Sequence, residues 1–102
     1  LNSKIKSKDV DFLFDAILQL KTREECYMLF EDLCTVQEMK ALSQRLVVAK
    51  MLSEGRVYSD IVKSTGASTA TISRVSKCLE YGAGGYRLAI ERQGAPSSAD
   101  SE

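Results

Sequence analysis

Histidine and tryptophan are absent from this sequence, proline occurs once, and no apolar run approaches the ~20 residues that a membrane-spanning helix needs. Each absence excludes something. Without histidine, the commonest acid or base at neutral pH is missing, as is the usual partner of a zinc ion or a thiolate nucleophile. Three cysteines, Cys26, Cys34 and Cys78, form an odd set with no CxxC spacing, so they read as reduced packing residues with no disulfide and no metal. Gly82, Gly84 and Gly85 mark a loop, but they do not match GxGxxG and no strand pattern precedes them. The expectation is a protein without catalytic activity. The early lysines Lys4, Lys6 and Lys8 lead into Asp9 and Asp11 instead of an apolar stretch with a cleavage site, so the expected location is cytoplasmic, away from any membrane.

What is present suits one small folded domain. Of 102 residues, 44% are hydrophobic and 27% charged, close to the average for globular proteins. The 14 basic and 14 acidic side chains cancel overall, yet they are unevenly spread. Residues 1–54 hold 8 basic and 9 acidic groups, 55–80 hold 4 and 2, and 81–102 hold 2 and 3. The middle block alone is positive, a faint footprint for a polyanionic partner.

The apolar period is helical almost throughout, which predicts an all-α fold of about six helices. Ser7 is placed to cap a first helix with Val10, Leu13, Phe14, Ile17 and Leu20 on one stripe and Phe12 and Leu18 off it. A helix apolar on more than one side has more greasy surface than so short a chain can cover, which predicts a partner subunit. Thr22 with Glu25 forms a capping box for a second helix burying Cys26, Leu29, Phe30 and Leu33. Thr35 with Glu38 repeats the box for a long third helix, ending near Glu54 before Gly55, with Leu42, Leu46, Ala49 and Leu52 inward. Two short helices follow at about 58–65 and 68–79, and a last one carries Tyr86, Ala89 and Ile90. The expected organisation is a single helical domain over 1–93, with dimerisation helices to 54, a helix-turn-helix at 55–81, a C-terminal helix at 82–93 and a disordered tail at 94–102.

The stretch from Tyr58 to Leu79 has helix-turn-helix spacing. Ile61 and Val62 supply the apolar side of its first helix, Gly66 the tight turn, and Ile72, Val75 and Leu79 the buried side of its second. Facing outward are then Ser68, Thr69, Ala70, Ser73, Arg74 and Lys77. Short side chains let a helix sit deep in the major groove, where hydroxyls pair with base edges and cations reach guanine or phosphate.

The segment GASTATISRVSKCL, with AKMLSEG and TVQEMKALSQRL before it, resembles the Trp repressor superfamily, and LKTREECYMLFEDLCT matches the LxxxEECxxxFxDLCT pattern of its YerC/YecD-like branch. The resemblance spans about Asp9 to Ile90. It implies an intertwined homodimer, and groove-facing positions at Ser68, Thr69, Ala70 and Ser73, with Tyr58, Ser59 and Lys63 as further contacts across a preceding turn that is one residue shorter here. It also places ligand-clasping positions on Thr35, Arg45, Thr71 and Arg74, although Thr35 is equally well accounted for as a helix cap, Thr71 as first-turn packing and Arg45 as a surface charge. Two departures bear on any corepressor. Val75 stands where the family pattern has a glycine that admits the indole ring, and Cys78 stands where it has serine. The pattern thus leaves room for a small-molecule corepressor but argues against tryptophan.

The function implied is that of a dimeric, sequence-specific regulator binding double-stranded DNA, with a repressor the expected kind. Two other readings remain at this point: a helical dimeric protein-interaction module without DNA binding, and a DNA-binding fragment of a replication or transposition protein. The absence of a nuclease-like carboxylate cluster counts against a transposase.

Overall fold

A computed structural model describes residues 4–94 of the chain, and every regular element among the described residues is an α-helix: α1 Lys8–Leu18, α2 Arg23–Leu33, α3 Val36–Ser53, α4 Tyr58–Thr65, α5 Thr69–Tyr81 and α6 Gly85–Gly94. Of the expected 94–102 tail, Gly94 is the last residue of α6, and the rest lies outside the described residues. The chain divides into two compact units whose boundary falls within α3, between Ala41 and Leu42.

Side-chain caps start the helices of the first unit. The Ser7 hydroxyl accepts the Val10 amide at 3.1 Å, and Asp9 and Asp11 lie by the positive end of the α1 dipole. Thr22 accepts the Glu25 amide at 3.1 Å, but the Glu25 carboxylate reaches past Thr22 to the Lys21 amide at 2.8 Å, so the expected box is displaced by one residue. At Thr35 the box is reciprocal: its hydroxyl accepts the Glu38 amide at 3.1 Å and its amide donates to the Glu38 carboxylate at 2.8 Å.

Neither α1 nor α2 has a fully buried residue. The helix ends at Leu18, so Leu20 lies beyond the α1 stripe, and Phe14 on that stripe is exposed, as are Cys26 and Leu33 of the expected α2 face. The reason is a shortage of covering surface: Phe12 is 78% and Leu18 77% exposed, alongside the exposed Tyr27 and Met28.

The second unit holds the core. Val48, Ala49 and Met51 of α3, Ile61 of α4, Ala67 of the turn, and Ile72 and Val75 of α5 are buried together. Leu52, Leu79, Tyr86 and Ile90 pack against them. Each of the four largest fully buried side chains, Ile61, Ile72, Val48 and Val75, contributes roughly 1.5–3 kcal/mol by leaving water. The inward face of α3 differs from the expected one: Ala49 is buried and Leu46 and Leu52 half-buried, but Leu42 is exposed and Val48 and Met51 take its place. Apolar residues lie all round this helix, so its period selects no side. Val62 and Ala89 are likewise exposed. The three cysteines are free thiols; Cys34 is half-buried, whereas Cys26 and Cys78 are at the surface instead of packed.

Candidate nucleic-acid interface

The geometry of the α4–turn–α5 pair follows from a few local hydrogen bonds. Gly66 closes α4 in the left-handed region, at φ +72° and ψ 6°, with its amide donating to the Val62 carbonyl at 2.8 Å. A Cβ there would meet nothing within 4 Å, so the backbone angle and not space calls for glycine. The Thr65 hydroxyl donates to the Ile61 carbonyl at 2.7 Å and accepts the Ala67 amide at 3.1 Å, which folds the turn back and drives Ala67 into the core. Ser68, extended at φ −72° and ψ 158°, then caps α5 by accepting the Thr71 amide at 3.1 Å.

From this start α5 presents two faces. Ile72 and Val75 are buried and Leu79 half-buried, on an arc of about 60° at the ~100° per residue of an α-helix. Thr69, Ala70, Ser73, Arg74 and Lys77 are all exposed, on an opposite arc of about 140°. The structure thus brings the expected outward residues onto one surface, with Ser68 at its N-terminal edge. Lys63 is exposed in the last turn of α4. Among the described residues, Lys63, Arg74 and Lys77 have no ion-pair partner, whereas Arg56 and Asp60 lie 3.7 Å apart and Lys50 and Glu54 3.9 Å apart. Arg74 and Lys77 share the outward arc of α5 with the small hydroxyl and methyl groups.

Two further residues bond to the ends of these helices and were not singled out by sequence reasoning. Gln44 of α3 donates through Nε2 to the Thr65 carbonyl at 3.1 Å, in a partly buried setting. Arg87 of α6 donates through Nε to the Leu79 carbonyl at 2.8 Å. No local pattern announces either bond, because each joins side chain to backbone across a turn or more of intervening chain.

Of the positions matched to the ligand pocket, Thr35, Thr71 and Val75 have other work visible in the structure. Thr35, in the first unit, is committed to its box with Glu38, and its amide and then its hydroxyl hold the Glu38 carboxyl below the usual glutamate range. In the second unit, Thr71 is half-buried and hydrogen-bonded to Ser68, Arg45 is half-buried, Arg74 and Cys78 are exposed, and Val75 is core at 1% exposure. Val75 is thus part of the core cluster with Ile61 and Ile72.

Comparison with known proteins identifies relatives that share this fold. The family model described as Trp repressor protein matches residues 8–94. The Bacillus subtilis (strain 168) protein YerC, of uncharacterized function, is 55% identical over 89 residues, which are 87% of this chain and 86% of YerC. The crystal structure of a TrpR-like protein from Eubacterium eligens ATCC 27750 superposes with a TM-score of 0.88 at 56% identity, covering 91% of this chain and 96% of that one. That of a candidate Trp repressor from Staphylococcus aureus does so with a TM-score of 0.86 at 52% identity, over 89% and 91%. With this fold, this helix-turn-helix and these relatives, the chain belongs to the Trp repressor family.

Proposed function

We propose that the protein is a sequence-specific regulator of transcription that binds double-stranded DNA as a homodimer through α5, most simply as a repressor. Family membership supports a helical DNA-binding regulator, and a regulatory instead of an enzymatic role. The observation that carries the finer reading is the exposed face of α5, with the small side chains of Ser68, Thr69, Ala70 and Ser73, three hydroxyls and a methyl, toward its start and unpaired Arg74 and Lys77 toward its end. Short groups near the helix N-terminus suit base edges, and the cations with Lys63 suit phosphates. In this reading residues up to 54 serve dimerisation, and 55–81 carry the DNA. The exposed Phe12, Leu18, Tyr27 and Met28 support the dimer, since a second copy would cover them. For helix-turn-helix dimers, the Trp repressor among them, half-sites lie one helical turn apart, roughly 34 Å, and that spacing is carried over from the family.

Gel-shift assays against genomic fragments over a salt series test the proposal. Specific complexes should form and weaken with salt as phosphate contacts release counterions. No shift on any fragment would favour a protein-interaction module. Within the motif, Thr69→Val should weaken the bound fragment by about 1 kcal/mol more than random DNA, and equal losses on both would show that Thr69 reads no base.

A further inference from the structure

The apolar core around α4 and α5 is non-directional, and the hydrogen bonds of the turn fix only the start of the 13-residue α5. Two hydrogen bonds from outside the motif add direction at the far ends of its helices. Thr65 is the last residue of α4 and Leu79 lies in the final turn of α5. At such ends the carbonyls lack partners within their own helix, and the dipole is negative. Gln44 reaches the Thr65 carbonyl from α3, before the motif, and Arg87 reaches the Leu79 carbonyl from α6, after it. The last turn of α5 has no basic residue of its own, so the Arg87 guanidinium provides the cation that this end favours.

We infer that Gln44 and Arg87 are positioning residues: by holding the C-terminal carbonyls of both motif helices from the flanking helices, they set the angle at which Thr69 and Ser73 are presented. The consequence for DNA rests on the function proposed above; the premise rests on the two hydrogen bonds alone. Thr69 lies about 15 Å along the helix from Leu79, so a 10° swing about that point moves it by about 2.5 Å. Such a shift breaks a hydroxyl's contact with a base edge. A long, flexible lysine on a phosphate follows it.

The test uses full-length Gln44→Met and Arg87→Met, each keeping an unbranched stem and losing the donor. Affinity is read by fluorescence anisotropy, well below each variant's unfolding midpoint, on a duplex that the wild type selects from a random library and on a random duplex. Amide exchange across α4, the turn and α5 is measured on the free protein. The ratio of selected to random affinity should fall roughly three- to tenfold in either variant, the net worth of one hydrogen bond, and motif amides should exchange several-fold faster. Equal losses on both duplexes in Gln44→Met, which alters no charge, would overturn the inference. So would unchanged amide exchange in both variants. If the wild type selects no duplex, the DNA-binding reading fails, and the exchange measurement alone decides whether Gln44 and Arg87 hold the motif.

Discussion

The Ser68 hydroxyl accepts the Thr71 amide and donates to the Thr71 hydroxyl, both at 3.1 Å, so these two side chains satisfy each other within the first turn of α5. Thr69 and Ser73 are exposed and free of such a bond, so under the proposed function they are the hydroxyls left to meet base edges. Ser68→Ala should lower stability by about 1 kcal/mol in urea unfolding, and Ser68→Asn should restore most of it, because asparagine also accepts from the helix start. If Ala and Asn variants match the wild type, Ser68 does not anchor the helix.

Val75 has two consequences that point the same way. Since it is part of the core beside Ile72 and Ile61, Val75→Ala should cost about 2 kcal/mol through lost burial and a small cavity. Admitting an indole there would overpack the interior at a cost of ~1–3 kcal/mol, roughly ten to a hundred fold in affinity. Calorimetry with L-tryptophan should show no micromolar binding, and gel shifts should form without it. A complex that appears only after tryptophan is added would reverse this expectation.

The uncovered apolar side chains of α1 and α2 lead to an oligomeric prediction. Light scattering after size exclusion should give about twice the 11.3 kDa chain mass at micromolar concentration. Phe12→Asp should shift the mass toward the monomer and lower the unfolding midpoint, because a charge would be buried without a partner. A well-folded wild-type monomer would remove the wrapped-dimer architecture.

The reciprocal box at the head of α3 carries a pH signature. With its carboxyl held below the usual range, Glu38 binds a proton less readily folded than unfolded. Its contribution is thus fully present above the unfolded value and lost as pH falls through the lowered folded value. Glu38→Gln keeps an acceptor but no charge, so its midpoint should lie below that of the wild type at neutral pH. The two curves should converge in acid, and a gap independent of pH would show that the carboxylate charge contributes nothing.

Much of this protein could be read without tertiary information, because the relevant physics is local. The caps at Ser7, Thr22, Thr35 and Ser68 satisfy amides three residues away, and the left-handed turns at Gly55 and Gly66 depend on their own dihedrals. The extent of α4 and the outward face of α5 followed from such signals, as did the residues expected to meet DNA. What local rules could not decide was which neighbour each face would meet. On α3 an apolar surface all round left Val48 and Met51 indistinguishable from Leu42 until the other helices packed against them. Cys26 and Cys78 fitted a packing role by composition, but their place at the surface depends on which helix sides are covered. The bonds from Gln44 to Thr65 and from Arg87 to Leu79 arise only once α3 and α6 are set beside the ends of the motif, since a side-chain donor finds a carbonyl 21 or 8 residues away through tertiary packing and through no periodicity of the chain.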